Sequence, residues 1–317
     1  MDFALTPKML EMQSNLQVFI DRHILPANVE WHREVEARRY PMPLLDRLKD
    51  RAKAEGLWNL FLPGLRDDEP GTRLSNLEYA PLAELMGRVP WSSEVFNCSA
   101  PDTGNMELLH LFATEQQREC WLMPLLEGEI RSCIGITEPD TASSDPTNLQ
   151  TSIRREGTQY IINGRKWFTS GALHPNAKFV IVMGLSDPRP DADSHARHSM
   201  VIVPLNTPGL KIERNVAILN HLSSTGTAKS PIGTCASQVR TSSARKDRAS
   251  PWLRPAWAPG GSITACARLG SARSHSSLCV SAHWSAKRSG STLQTLRISR
   301  IGSLSHGWRL NMRASLR

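Results

Sequence analysis

The sequence predicts an α+β chain: an all-α domain over residues 1–130, an antiparallel, barrel-like β domain over 131–222, and a largely disordered tail over 223–317. Three observations carry this reading. Apolar residues recur at helical spacing through the first 130 residues, the period changes to two beyond residue 131, and the composition breaks near "NHLSSTGTAKS" at 220–230. Helices followed by a run of strands point to separate layers rather than βαβ units. At 317 residues the chain has room for two or three domains and a sizeable core.

Within the first domain, "SNLQVFIDRHILP" places Leu16, Phe19, Ile20 and Ile24 on one helical face, with Pro26 as its stop. "PLLDRLKDRAKAEG" opens on a proline and closes at Gly56, suited to the residue after a C-cap. "LSNLEY" reads as a capping box, Ser75 capping, Glu78 reaching back and Leu74 packing on Tyr79; Thr114 and Gln117 repeat the device. Pro81 and Pro124 kink or delimit their helices.

In the second domain, "LQTSIRREGTQYIINGRKWFTSG" predicts strand, turn at Glu156-Gly157, strand, turn at Asn163-Gly164, strand. "KFVIVMGL" and "HSMVIVPL" predict two further apolar strands around the polar loop "SDPRPDADSHARH".

The tail differs in kind. Residues 223–317 carry 15 Lys or Arg against one acid, Asp247, a net +14, whereas residues 1–222 carry 23 basic and 29 acidic residues, a net −6. The tail has no Phe, Tyr or Glu, and about a fifth of it is serine. Such a segment cannot bury enough apolar surface to offset its ordering entropy. The N-terminus shows no basic region followed by an apolar one, no run is apolar enough to span a membrane, and the six cysteines show no metal spacing. The expectation is a cytoplasmic protein with free thiols.

Two stretches carry chemical information, "GITEPDTASSD" at 135–145 and "WFTSG" at 167–171. Alone, the first fits a turn in which Thr137 and Asp140 bond local backbone, and Trp167 fits a core aromatic. Taken in order with "FATEQQRECWLMPLLEGEIRSC", "YIINGRKWFTSGA" and "TPGLKIER", they resemble the acyl-CoA dehydrogenase family, in the branch of members ten and eleven, over almost all of 1–222.

The resemblance implies a helical N-terminal domain, a middle β-barrel and a C-terminal four-helix bundle, with FAD between the last two. It places Ile134, Ile136 and Thr137 along the flavin ring, Thr137 on its pyrimidine edge, and Trp167, Phe168 and Thr169 around the ring, with Thr169 near N5. It places Ser144 near the FAD pyrophosphate and the CoA part of the substrate. It implies an acyl-CoA substrate, an acceptor of the electron-transfer flavoprotein type, homo-oligomers built through the bundle, and α,β-dehydrogenation by a carboxylate base from the bundle. After Leu222 the one acid is Asp247, in "SSARKDRAS", which matches no family motif, so no catalytic residue is assigned.

A change of reading frame would explain the tail. Shifted by one base with permitted codons, Ala228–Arg254 re-reads as "EVAYRDVRVPSANILGEEGPGFAMAQ", Leu253–Arg268 as "QARLGPGRIHHCMR" and Trp284–Gly302 as "EREAFGKHLADFADFQDRI", three family-like motifs in family order. The expectation is a truncated, inactive dehydrogenase that has lost its last β strand, its bundle and its base. The alternative is a non-enzymatic module whose basic arm binds nucleic acid or another acidic surface. No nucleic-acid-binding motif or interleaved aromatic pattern accompanies the charge, so no specific nucleic acid is expected.

Overall fold

A computed structural model describes residues 5–37, 42–157, 159–194 and 196–216, and the backbone of 227–237. Eight helices occupy the first part: α1 (Pro7–Phe19), α2 (Leu25–Glu36), α3 (Pro43–Ala54), α4 (Asn76–Met86), α5 (Ser92–Val95), α6 (Asp102–Phe112), α7 (Glu115–Gln117) and α8 (Met123–Leu126). Their ends follow the sequence signals. Ser75 accepts from the Glu78 amide while Glu78 reaches back to the Ser75 amide, and Thr114 and Gln117 do the same. Gly56 takes φ +70° after α3, with the Leu57 N–H bonded to the Ala52 carbonyl, the Schellman closure that favours glycine.

Pro26 is not a stop. The helix continues from α1 into α2 through a π turn at Ile20–Ile24, in which the Leu25 amide bonds back to Ile20, and Pro26 sits in the first turn of α2. The same device, a π turn at Arg118–Leu122, precedes Pro124 at the start of α8. The widened turn accommodates a ring and a missing donor that would otherwise break the helix. Pro81 lies inside α4.

Seven strands follow: β1 (Arg131–Gly135), β2 (Ser152–Glu156), β3 (Gln159–Ser170), β4 (Ala177–Leu185), β5 (His198–Pro204), β6 (Arg214–Asn215) and β7 (Thr227–Ser237). They form one open sheet in the order β1-β4-β2-β3-β7-β6, with β5 also on β4. The expected closed, purely antiparallel barrel is therefore corrected: the sheet is open, and β1 runs parallel to β4, as does the single β2 pair at Ser152–Leu185. Glu156 and Gln159 close the β2–β3 hairpin at Gly157, φ +57°. The expected turn at Asn163-Gly164 is absent, because β3 runs straight through it. Gly164 serves close approach instead: a Cβ there would collide with Thr151, and the register against β7 slips beside it.

The expectation that the last strand is lost is also overturned. The backbone of β7 pairs with β3 from Tyr160 to Ser170 and with β6 at Lys229 and Ala228. Sheet pairing is made by backbone groups, so a sequence as unlike a strand as "TAKSPIGTCAS" can still satisfy them. The rest of the tail, and with it the disorder and the re-read motifs, lies outside the described residues.

Strand β4 shows why the two parts pack. Phe179 and Ile181 join the helical core with Ile202, whereas Val180 and Val182 face a second cluster with Ile153, Ile162, Val201 and Val203. A period of two with both faces apolar produces a strand buried on both sides. Polar ties cross the same seam: Asp102 accepts from the Ser132 amide (2.6 Å) and hydroxyl (2.5 Å) and pairs with Arg131 (2.7 Å), and Asn105 donates to Ser132 and to the Cys133 carbonyl. No helix among the described residues is long and apolar enough to cross a membrane.

Candidate functional site

The chain reverses after β1 through "TEPDTASSD" and returns along β3, so the two motif stretches become neighbours. The Trp167 amide donates to the Thr137 carbonyl at 3.0 Å, which ties the end of β1 to the middle of β3. Glu138 anchors the loop. Its carboxylate accepts from the amides of Gln150 and Thr151, each at 2.8 Å, and from the Lys166 ammonium at 2.7 Å. Lys166 also donates to the Ile136 carbonyl at 2.8 Å. Burial pushes the Lys166 pKa down to about 8, against the pull of Glu138. The Glu138 carboxyl is held below its ordinary value: burial raises it, and hydrogen bonds from Lys166 and from the Gln150 and Thr151 segment outweigh that.

The residues singled out from the sequence fall as follows. Ile134 is half-buried on β1 against the helical core; Ile136, just beyond the strand, packs on Leu149 and Met183. Trp167 is half-buried and lies against Phe168, ring centroids 4.7 Å apart. Phe168 is 41% exposed at φ +51°, where β3 spends two residues on one of β7, a bulge that redirects side chains. Thr169 is buried next in line. The Trp167 Nε1 and the Thr169 hydroxyl are buried without a hydrogen-bond partner among the described residues. An orphaned buried polar atom costs about 1–3 kcal/mol, so two on one short stretch mark a place for an outside partner.

Ser143 and Ser144 separate clearly. The Ser143 hydroxyl accepts from the Glu138 amide at 2.8 Å and sits 3.0 Å from the Thr141 hydroxyl, occupied in holding the loop. Ser144 is exposed. A pocket of about 590 Å³ opens on the same loop, lined by Asp140–Ala142, Thr147–Gln150, Leu185 and Arg197 but not by Ser144. Among the described residues no group of His, Cys, Asp and Glu is placed to hold a metal.

Sequence reasoning brought together Thr137, Trp167 and Thr169 and missed Glu138 and Lys166, although both lie inside the quoted motifs. A Lys next to a Trp on a strand reads as solvent-facing; here its stem lies along Gly135, where an added Cβ would come 3.3 Å from the Lys166 Cγ.

Residues 6–129 match the family model "Acyl-CoA dehydrogenase, N-terminal domain", and residues 133–228 match "Acyl-CoA dehydrogenase, middle domain". The chain belongs to the acyl-CoA dehydrogenase family. It is 48% identical over 226 residues to probable acyl-CoA dehydrogenase FadE2 of Mycobacterium tuberculosis, covering 69% of this chain and 53% of that one. It is 48% identical over 218 residues to acyl-CoA dehydrogenase family member 11 of Gallus gallus, covering 67% of this chain and 27% of that one. Among solved structures, a putative acyl-CoA dehydrogenase from Mycobacterium abscessus superposes with a TM-score of 0.73 at 40% identity, covering 85% of this chain and 66% of that one. The match thus spans about half of FadE2 and about a quarter of the longer relative.

Proposed function

We propose that the chain carries the flavin wall of an FAD-dependent acyl-CoA dehydrogenase, an enzyme that removes two hydrogens from the α and β carbons of an acyl-CoA thioester. Members of this family bind FAD. The observation that carries the reading is the junction of Thr137 with Trp167, which leaves the two orphaned polar atoms of Trp167 and Thr169 on one bulged stretch. These residues fit a flavin: an aromatic and aliphatic surface for a planar ring, and short polar groups for its heteroatom edge. Ile134, Ile136 and Thr137 would hold one side, Trp167, Phe168 and Thr169 the other. When bound, FAD supplies a two-electron acceptor for the substrate hydride.

The chain's own residues orient and shield. Phe168 and Trp167 exclude water from the reacting face. Thr169 supplies a hydroxyl to the flavin. Ser144, free of the bonds that occupy Ser143, is available to the pyrophosphate of FAD and to the CoA portion of the substrate. An electron-transfer flavoprotein-type acceptor would re-oxidise the site, as the family reading implies.

Removal of the α proton needs a carboxylate, and the one acid after residue 222 is Asp247, outside any family motif. We expect these 317 residues by themselves to hold FAD weakly or not at all and not to dehydrogenate acyl-CoA, because residues 223–317 do not match the part of the family that completes the flavin pocket. Titrating the 317-residue chain with FAD while following tryptophan fluorescence tests the wall. Thr169→Val, which removes the orphaned hydroxyl, should weaken FAD binding about tenfold, equivalent to one lost hydrogen bond. Unchanged affinity in Thr169→Val and Trp167→Ala would remove these residues from the site.

A further inference from the structure

Three successive residues, Ile136, Thr137 and Glu138, are each bonded to Lys166 or Trp167: the Ile136 carbonyl and the Glu138 carboxylate to the Lys166 ammonium, the Thr137 carbonyl to the Trp167 amide. The Glu138 carboxylate also accepts from the amides of Gln150 and Thr151 and from the Thr141 hydroxyl, and its own amide donates to Ser143. Lys166 is 1% exposed. A buried ion pair is a weak source of net stability, because desolvation cancels most of the attraction, and an apolar pair of equal volume does as well. What such a pair provides, and an apolar pair does not, is directional fixing of the backbone groups it bonds. Those groups here belong to the residues on either side of the wall.

We propose that Lys166 and Glu138 are positioning residues for the flavin: a buried clasp that sets the spacing of Thr137 from Trp167 and Thr169, and through it the affinity for FAD. This rests on the flavin reading above. The clasp touches no ligand itself. Its other neighbours leave it intact: His198 on β5 senses the Lys166 charge and is pushed toward its neutral form chiefly by burial, and Cys133 on β1, beside Lys166 in the sheet interior, has its thiol pushed far up by burial.

The test uses the 317-residue chain and the variants Lys166→Met, Glu138→Gln and Lys166→Arg. Two quantities are read: the FAD dissociation constant, and amide hydrogen exchange without flavin in peptides containing Trp167 and the Gln150–Thr151 amides. The proposal expects Lys166→Met and Glu138→Gln each to weaken FAD about tenfold or more and to raise exchange in those peptides by a similar factor, while peptides of α4 and α6 keep their protection. Lys166→Arg, which keeps the cation, should recover most of both effects, which a loss of packing alone would not show. FAD affinity and exchange within about twofold of the parent in both Lys166→Met and Glu138→Gln would overturn the proposal. Should Lys166→Met fail to fold, the near-isosteric Glu138→Gln decides. Should the parent bind no FAD, affinity is read in the same variants of a chain restored to the alternative frame after Leu222; a restored chain that binds no FAD sinks the flavin reading, and unchanged protection in Glu138→Gln overturns the clasp in either case.

Discussion

His174 shows how one buried side chain sets an acid limit. It is 5% exposed, accepts from the Asn176 amide at 3.0 Å, and lies 3.9 Å from Glu94. Burial, helped by Arg131 and Lys49 and opposed by Glu94, pushes its pKa down to about 4 from an ordinary 6.5. The folded state thus binds fewer protons than the unfolded one between those values. Its contribution to stability is complete above pH 6.5 and is lost as pH falls from 6.5 through 4, with a slope approaching about 1.4 kcal/mol per pH unit. Denaturant midpoints of the parent and of His174→Gln over that window should diverge, the variant showing the shallower acid limb; equal slopes would exclude His174 as the acid-sensitive group. Asp102 makes a second residue-scale case. Removing its carboxylate in Asp102→Ala takes away the acceptor of the Ser132 amide and hydroxyl and one ionic partner of Arg131 at a buried seam, and should cost about 3–5 kcal/mol in equilibrium unfolding. A cost under about 1 kcal/mol would show that the seam relaxes around the loss. Neither residue was legible in the sequence, because Asp102, Arg131 and His174 meet only once helix and sheet have packed. Thr137 and Trp167 were legible because each lies in a short motif whose order along the chain is informative.

At the scale of elements, local chemistry read well where partners are near in sequence. The capping boxes at Ser75 and Thr114 and the closure at Gly56 involve residues three to five apart, and they form as expected. Ser75→Ala should cost about 1 kcal/mol in thermal or denaturant unfolding, while Leu77→Ala, at a residue 69% exposed on the same helix, should be nearly neutral; the reverse order would contradict the cap assignment. What misled were signals whose meaning depends on distant partners. Pro26 ends a helix in isolation, but a π turn carries the chain past it. Asn163-Gly164 is a hairpin turn in isolation, but Thr151 needs the glycine for close approach. The parallel pairing of β1 with β4 leaves no local trace. The bulge at Trp167–Phe168 gives an element-scale prediction. A phenylalanine at φ +51° stores strain of roughly 1–3 kcal/mol. Phe168→Gly should therefore keep or raise the melting temperature while lowering FAD affinity. A marked drop in melting temperature would show that the ring, 41% exposed, packs on more than the site.

At the scale of the whole molecule, the helical part and the sheet share a core through β4, and the proposed flavin wall draws on β1 and β3, the two strands that flank the quoted motifs. The break in composition near residue 223 was legible because charge and residue usage change together there; the pairing of β7 was not, because backbone hydrogen bonds do not require a strand-like sequence. The proposal that joins these scales is a flavin wall in residues 1–222 followed by a tail read out of frame after Leu222. The measurement that tests it most directly compares this chain with one identical through Leu222 and restored to the alternative frame afterwards, reading bound flavin absorbance after purification and its bleaching by a series of acyl-CoAs. The account predicts stoichiometric flavin and bleaching in the restored chain, with weakly held or no flavin and no bleaching in the chain as written. Stoichiometric flavin bleached equally in both would contradict it, as would a restored chain that holds no flavin.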